Sequence, residues 1–226
     1  MGSRKPGCSY KVFGREERLK KKLVSDRWEV IEPFVKAKEV LDLGAVDHEA
    51  DKEEGKDWLH RKIRQIATHT LGVDHAASEV ERLKEKGYNV ILGGVENLQI
   101  GKEFDVVVAG NIIEHLSNPG LFLESVKRHL KKDGVFISTT DNCYGLRSLK
   151  AVTLFDGIRP NQEHVVTFEE EVLRQLLERH GFSVQEFYYY NGPYPNRLKK
   201  WLIDTLCRFR KSWAWQMLVV AKVTPP

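Results

Sequence analysis

The sequence predicts an α/β fold: a seven-stranded, mostly parallel sheet with helices on both faces and a terminal antiparallel strand pair. From residue 39 onward, short apolar segments alternate with amphipathic segments of helical length, which is the pattern of βαβ units. The last two β-rich segments have no crossover helix after the second, so they are expected to pair antiparallel. With 226 residues, 41% of them hydrophobic, the chain is long enough for one domain with a proper core.

The first part of the chain is charged rather than apolar. Residues 15–22 are expected to form a surface helix or arm ahead of an apolar stretch that Pro33 interrupts. We therefore divide the chain into an N-terminal helical arm, residues 1–38, and a main domain, residues 39–226. The main domain carries a helical insertion at about residues 193–213.

Five strand candidates form the core of the predicted sheet. They are residues 39–43, 70–73, 89–92, 105–109 and 134–140. The helices between them are predicted at residues 57–69, 76–86 and 119–131, and Asp133 with Gly134 ends the last of these.

The final third of the chain adds a capped helix and the terminal strand pair. A helix is predicted at residues 167–180, with Thr167 as its N-cap and Gly181 just after its end. The two strands are expected at residues 182–190 and 215–223, with about one helix between them.

Composition excludes several classes of protein. Thirty-six Lys and Arg against 32 Asp and Glu leave a net charge of +4, which is too small an excess to indicate a nucleic-acid partner. The three cysteines are far apart and suggest neither a disulfide framework nor a metal site. No apolar run approaches the ~20 residues of a membrane span. We expect a cytoplasmic protein that is at most peripheral to a membrane.

Acidic residues end two neighbouring strands of the predicted sheet. The first strand ends in Asp42, Leu43 and Gly44, and a glycine there lets the backbone approach a ligand closely. The second ends in Asp74, whose carboxylate can accept both hydroxyl protons of a ribose. Ligands of open α/β sheets bind beyond the carboxyl ends of the strands. A nucleotide-like cofactor is therefore expected at this edge.

The fourth strand leads into Asn111 and Ile112, then the acidic-His-Leu segment Glu114, His115, Leu116, then a helix that begins with proline. In this order of motifs the sequence resembles the class I S-adenosylmethionine (SAM) dependent methyltransferases. The resemblance covers about residues 39–181 and the last strand. It implies a Rossmann-like fold, SAM as cofactor and S-adenosylhomocysteine as product.

The resemblance also implies which residues hold SAM. Asp42, Gly44 and Ala45 would line the methionine part, and Asp74 would bind the ribose. His75, Val95 and Glu96 would lie along the adenine. Asn111 and Ile112 would lie behind the sulfonium. The sequence departs from the family pattern in two ways. Only the first of three alternating glycines is present, and Gly94 stands where an acidic residue for the adenine amino group is common. Either Glu96 binds that amino group instead, or no residue does.

A long polar loop follows Gly44 in place of the glycine-rich one. His60 or Arg61, at the start of the next helix, is expected to meet the SAM carboxylate with help from the helix N-terminus. The alternative interpretation makes Trp58 a core anchor and His60 a surface residue.

Methyl transfer to a hydroxyl requires alignment of the acceptor and removal of a proton, and it requires no metal. His164 is the candidate base, because it resembles the acceptor-side histidine of methyltransferases that act on sugars and related small molecules; the alternative is a structural loop histidine. His115 is the rival base. Asp141, Asn142 and Tyr144 are expected to form the acceptor wall.

Residues 197–211 combine an apolar stripe at helical spacing with surrounding positive charge. Three interpretations stay open: an ordinary helix packed on the sheet edge, a peripheral membrane contact, or a substrate lid. A nicotinamide dehydrogenase is excluded by the missing Gly-x-Gly-x-x-Gly pattern. We therefore predict a SAM-dependent methyltransferase that O-methylates a glycan, glycolipid or other small metabolite. The alternative is a catalytically inactive binding or scaffold protein with the same fold.

Overall fold

A computed structural model describes residues 21–46, 57–155, 161–192 and 196–225. Within these ranges the strands are β1 (Lys21–Val24), β2 (Glu39–Leu43), β3 (His69–Asp74), β4 (Val90–Leu92), β5 (Phe104–Gly110), β6 (Leu130–Asp141), β7 (Phe182–Tyr190) and β8 (Gln216–Val223). The helices are α1 (Trp28–Val35), α2 (Leu59–Ile66), α3 (Ala77–Glu85), α4 (Pro119–Arg128), α5 (Leu146–Phe155), α6 (Glu170–Arg179) and α7 (Arg197–Phe209). Residues 15–20 of the predicted arm lie outside the described ranges.

The strands form one sheet in the order β1-β7-β8-β6-β5-β2-β3-β4. Strand β8 runs antiparallel to both of its neighbours, β6 and β7, and the other pairings in the described sheet are parallel. The predicted α/β fold with a mostly parallel sheet and a terminal antiparallel pair is therefore confirmed. The prediction of seven strands is one short, because β1 adds an eighth strand at one edge.

Helices cover both faces of the sheet. In β5, Val107 packs with Phe122 of α4, whereas Val108 packs with Ile31 of α1 and Ile63 of α2. Successive side chains of a strand point to opposite faces, so these neighbours belong to two separate cores. The continuous apolar run of β5 follows from burial on both sides.

The described part of the predicted N-terminal arm belongs to the main fold. Lys21–Val24 pair in parallel with Phe187–Tyr190 of β7, so residues 21 and 22 form a strand rather than a helix. Helix α1 then buries Val30, Ile31 and Val35. Among the described residues no helix is long and apolar enough to cross a membrane.

Helix α6 begins later than predicted, and the prediction of Thr167 as its N-cap is wrong. The cap is Glu169, whose side chain accepts a hydrogen bond from the Val172 amide at 2.8 Å. The chain is still extended at Phe168, which forms a β-bridge with Asn142. Gly181 adopts a φ of +79° after the helix, as predicted for that position.

Helix α4 ends earlier than predicted. It stops at Arg128, because residues 130–133 already belong to strand β6. Helix α5 was not predicted, and it follows β6 at the sheet edge that carries the strand carboxyl ends.

Gly72, in the middle of β3, leaves no space for a side chain. A Cβ there would lie 2.7 Å from Ala45 Cβ and 2.8 Å from both His60 Cε1 and Val90 Cγ1. We expect Gly72→Ala to lower the free energy of unfolding by about 1–3 kcal/mol, because three packed neighbours must move. Urea denaturation measures the change. Gly94→Ala is the matched control, since no atom lies within 4 Å of a Cβ there, and equal losses in both variants would contradict the steric explanation.

Candidate functional site

A cleft of about 780 Å³ opens at the carboxyl ends of the central strands. Its lining includes Asp42 and Gly44 after β2, Gly110 and Asn111 after β5, and Asp141 at the end of β6. Ligands of open α/β sheets bind at this edge, and the volume is in the range of small-molecule sites. The cleft is therefore the candidate site for a cofactor and an acceptor.

The cleft brings together about half of the predicted site residues. Those that line it are Asp42, Gly44, Ala45, His60, Asn111, His115, Asp141 and His164. Those that lie outside its lining are Arg61, Asp74, His75, Val95, Glu96, Ile112, Asn142 and Tyr144.

The backbone takes left-handed conformations at the ends of two adjacent strands. Gly44 has a φ of +77° and Asn111 a φ of +53°. A Cβ on Gly44 would come within 3.1 Å of Ile112 Cδ1, so glycine permits this close approach of two loops. Asn111 is held by Thr139, whose hydroxyl donates to Asn111 Oδ1 at 2.7 Å. Positive φ at a residue other than glycine is uncommon and clusters at functional sites.

Arg27 extends into the same cleft, although it is not among the predicted site residues. Its Nη1 donates to Asn111 Oδ1 at 3.3 Å, and Arg27 lines the cleft beside Gly110. A guanidinium is permanently charged and matches the geometry of a carboxylate. No local motif marks Arg27 among the chain's cations, because its place in the cleft depends on how α1 packs against β5.

Asp42 and His60 form a buried pair beside the cleft. The His60 Nδ1 lies 2.9 Å from Asp42 Oδ2, and both side chains are buried. Trp58 is buried next to them and donates its indole N–H to the Ala45 carbonyl at 2.9 Å. Trp58 is thus a core anchor, whereas His60 is buried rather than at the surface. His60 is thus paired with Asp42 and also lines the cleft, so its contact with the SAM carboxylate stays a prediction.

Asp74 ends β3 with a buried carboxylate that already holds two backbone groups. Its Oδ2 accepts from the Val46 amide and its Oδ1 from the Ala76 amide, both at 3.0 Å. Each carboxylate oxygen retains a further lone pair, so binding to ribose hydroxyls stays a prediction. His75 is exposed beside it, with Nδ1 3.4 Å from Asp74 Oδ1.

Glu96 and Asn142 also hold backbone groups in this structure. Glu96 Oε1 accepts from the Asn118 amide at 2.7 Å, ahead of α4. The buried Asn142 donates its amide to the carbonyls of Ser212 and Ala214 at 2.9 and 2.8 Å. Asn142 therefore joins the end of β6 to the segment before β8, and its place in the acceptor wall stays a prediction.

Glu114, His115 and His164 meet in the lining of the cleft. Their potential ligand atoms lie within 4.8 Å of one another, and the two imidazole rings are 4.6 Å apart and nearly perpendicular. Glu114 Oε2 accepts from the Thr140 hydroxyl at 2.9 Å. The Val165 amide donates to the Glu114 carbonyl at 2.9 Å and holds the loop that carries His164 in place.

Burial raises the pKa of Glu114 to about 7, and the charge of Asp141 adds to this effect, while the Thr140 hydrogen bond opposes it. A carboxylate that changes protonation near neutral pH is suited to proton transfer. Glu114 is not among the predicted catalytic residues. The signal that marks it is a carboxylate between the apolar Ile113 and Leu116, which indicates burial.

The same three side chains are of the types that bind divalent metals, one carboxylate and two imidazoles. The sequence predicts no metal here. The arrangement therefore makes the effect of a divalent cation a question for experiment.

Comparison with known proteins agrees with this geometry. A family model described as a methyltransferase domain matches residues 15–186. A ubiquinone biosynthesis O-methyltransferase of Nitrobacter winogradskyi is 29% identical over 94 residues, which are 39% of this chain and 36% of the relative. One of Rickettsia canadensis is 23% identical over 159 residues, which are 66% of this chain and 64% of the relative. The chain thus spans between about a third and two thirds of these relatives.

Solved structures share the fold. A SAM-dependent methyltransferase of Archaeoglobus fulgidus superimposes with a TM-score of 0.61 at 17% identity, covering 87% of this chain and 91% of that one. A complex of DhpI with S-adenosylhomocysteine gives a TM-score of 0.55 at 16% identity, covering 88% and 82%. The matched family model, the sheet order and the glycine-containing loop after β2 agree with one another. The chain belongs to the family that this model describes as a methyltransferase domain.

Proposed function

We propose that the protein is a SAM-dependent O-methyltransferase that acts on a hydroxyl group of a small acceptor. The observation that carries the proposal is that the cleft holds two sets of side chains with different chemistry. The first set is Arg27, Gly44 and Asn111, and the second is the cluster of Glu114, His115 and His164. The first set suits a cofactor with a carboxylate, and the second suits removal of a proton.

The residues of the first set, together with Asp74 at the end of β3, fit SAM. Gly44 allows the backbone to approach the ligand, Arg27 offers a positive charge to the carboxylate of the methionine part, and Asp74 offers lone pairs to the ribose. When bound, SAM would supply an electrophilic methyl group for the acceptor oxygen. Placing the two reactants in line accounts for most of the catalysis that such a reaction needs.

The second set removes the hydroxyl proton of the acceptor. His164 accepts the proton, and Glu114 in its ionised form stabilises the imidazolium that results. Because the pKa of Glu114 is raised to about 7, this stabilisation becomes available as the pH rises through neutrality. His115 lies against His164 and can take the same proton.

Oxygen is the atom that the comparisons favour, since the curated relatives are named O-methyltransferases. Their role in ubiquinone biosynthesis adds intermediates of that kind to the predicted acceptors, which are a glycan, a glycolipid or another small metabolite. All of these acceptors present a hydroxyl group, so the reaction type does not separate them. An acceptor screen with labelled SAM identifies which of them is methylated.

Isothermal titration with SAM and S-adenosylhomocysteine, with NAD as control, tests the cofactor. We expect micromolar binding of the first two and none of NAD. Asp74→Ala is expected to abolish the binding, and circular dichroism verifies that this variant is folded. If neither SAM nor S-adenosylhomocysteine binds the folded wild-type protein, a non-catalytic scaffold is favoured instead.

His164→Ala is expected to lower turnover about 10²- to 10⁴-fold, which is the usual contribution of a general base, while the affinity for S-adenosylhomocysteine stays unchanged. His69→Ala is the matched control, because His69 is exposed at the start of β3, away from the strand carboxyl ends. Assays with EDTA and with added Mg²⁺ or Zn²⁺ determine whether a cation acts through the same cluster. Full turnover of His164→Ala on the true acceptor would rule out its role as the base.

A further inference from the structure

Helix α7 presents its apolar side chains to solvent. Its outer face consists of five residues with exposed fractions between 37% and 85%: Leu198 (73%), Trp201 (63%), Leu202 (52%), Leu206 (37%) and Phe209 (85%). Contiguous apolar surface of this kind is rare on a soluble protein and marks an interaction site.

The outer face of α7 is a single stripe. An α-helix turns by ~100° per residue, so residues 198, 202, 205 and 209 lie nearly in line along the axis. Cys207, which lies on the opposite side of the helix, is fully buried in the main core. Helix α7 therefore packs on the protein through the side that carries Cys207, and its apolar stripe is left exposed to solvent.

Positive charge borders the stripe on both sides. By the same helical geometry, Arg197 and Arg208 lie along one border and Lys199 lies along the other, while Arg210 follows the last turn as the C-cap. Asp204 is the one acidic residue of α7. Its Oδ2 lies 2.8 Å from Lys200 Nζ, on the side of the helix away from the stripe.

A cationic concavity continues from the C-terminal end of the helix. It has a volume of about 630 Å³ and is lined by Lys21, Lys22, Arg208, Phe209, Arg210, Lys211 and Ser212. Two of these cations have acidic partners: Lys21 with Glu170 at 2.6 Å and Lys22 with Glu186 at 3.0 Å. The excess of positive charge comes from Arg208, Arg210 and Lys211.

We propose that the outer face of α7 docks on the surface of an anionic phospholipid bilayer. The apolar stripe enters the boundary between head groups and acyl chains, and the flanking cations contact the lipid phosphates, which is the arrangement of interfacial amphipathic helices. Trp201 suits this boundary because indole combines a large apolar ring with a polar N–H. Charge complementarity selects a bilayer as the occupant over a neutral protein surface.

Docking would place the cleft beside the bilayer. Lys200 belongs to α7 and also lines the cleft, together with Trp215 just before β8. If the proposed methyltransferase function holds, acceptors that reside in the bilayer have the shortest route to the site.

Co-sedimentation with vesicles tests the proposal. Vesicles of phosphatidylcholine with phosphatidylglycerol should bind the full chain, and vesicles of phosphatidylcholine alone should bind it at least about tenfold more weakly. The triple variant Leu198→Ser, Trp201→Ser, Phe209→Ser should lose the binding. The double variant Arg208→Gln, Arg210→Gln should lose most of the preference for the anionic vesicles.

Val172→Ser is the matched control, because Val172 is similarly exposed but lies on α6. It should bind vesicles as the wild type does. Equal binding of wild type and triple variant, or equal binding to both kinds of vesicle, would overturn the proposal. Circular dichroism shows that each variant is folded, and this readout depends neither on lipid nor on S-adenosylhomocysteine. A loss of lipid binding is therefore distinguishable from a failure of the proposed enzymatic function, which the titration of S-adenosylhomocysteine reports separately.

Discussion

Arg27→Ala is expected to weaken the binding of S-adenosylhomocysteine by about 10- to 150-fold. The guanidinium lies in the cleft, 3.3 Å from Asn111 Oδ1, where it can meet the carboxylate of the ligand. A hydrogen bond to a charged group contributes about 1.5–3 kcal/mol, and each ~1.4 kcal/mol is a factor of ten in affinity. Isothermal titration measures the loss directly.

The ligand itself supplies the sharpest control for this prediction. 5′-Methylthioadenosine keeps the adenosine and the sulfur but lacks the amino acid part, so its affinity should be the same for wild type and Arg27→Ala. Arg179→Ala is the matched protein control, because Arg179 is exposed in the last turn of α6, at the opposite end of the sheet. An equal loss of affinity for both ligands would show that Arg27 supports the fold of the cleft and not the carboxylate.

Glu114→Gln is expected to change how stability depends on pH. Burial raises the pKa of Glu114 from 4.5 to about 7 in the folded protein. The folded state then binds more protons than the unfolded state between these values. The stability that the neutral carboxyl provides is fully present below about pH 4.5 and is lost as the pH rises through 7. At ~1.4 kcal/mol per pKa unit, the loss is about 3 kcal/mol.

Urea unfolding at pH 4.5 and pH 8 measures this effect. Relative to the wild type, Glu114→Gln should gain stability on going from the lower to the higher pH, because glutamine stays neutral and its carbonyl can still accept from Thr140. Glu103→Gln, on an exposed residue before β5, should show no such gain. If Glu114→Gln and the wild type lose stability in parallel, the carboxyl is not the titrating group.

The same variant is expected to lower turnover, because a neutral amide cannot stabilise an imidazolium on His164. We expect a loss of about 10²- to 10⁴-fold in kcat and the disappearance of the rise in kcat/KM near pH 7. An unchanged pH profile in Glu114→Gln would assign the proton transfer to the histidines alone.

Local sequence patterns determined the bounds of several strands and the edge of the sheet where the cleft lies. The strands at residues 39–43 and 182–190 have the predicted bounds, because an apolar run between turn residues is sufficient to define a buried strand. The same pattern predicts the carboxyl edge as the site, since the order of parallel strands brings Asp42, Gly44 and Asn111 to one edge. The position of the cleft therefore follows from the sequence alone.

Tertiary structure decided the features that depend on distant neighbours. Arg27 reaches the cleft only because α1 packs beneath β5, and Glu114 has its raised pKa only because its neighbours exclude water. The stripe of α7 was visible in the sequence, but which side of the helix faces the protein was not. Periodicity shows that an apolar face exists, whereas the packing of the whole chain determines whether that face is buried or, as at Phe209, left to solvent.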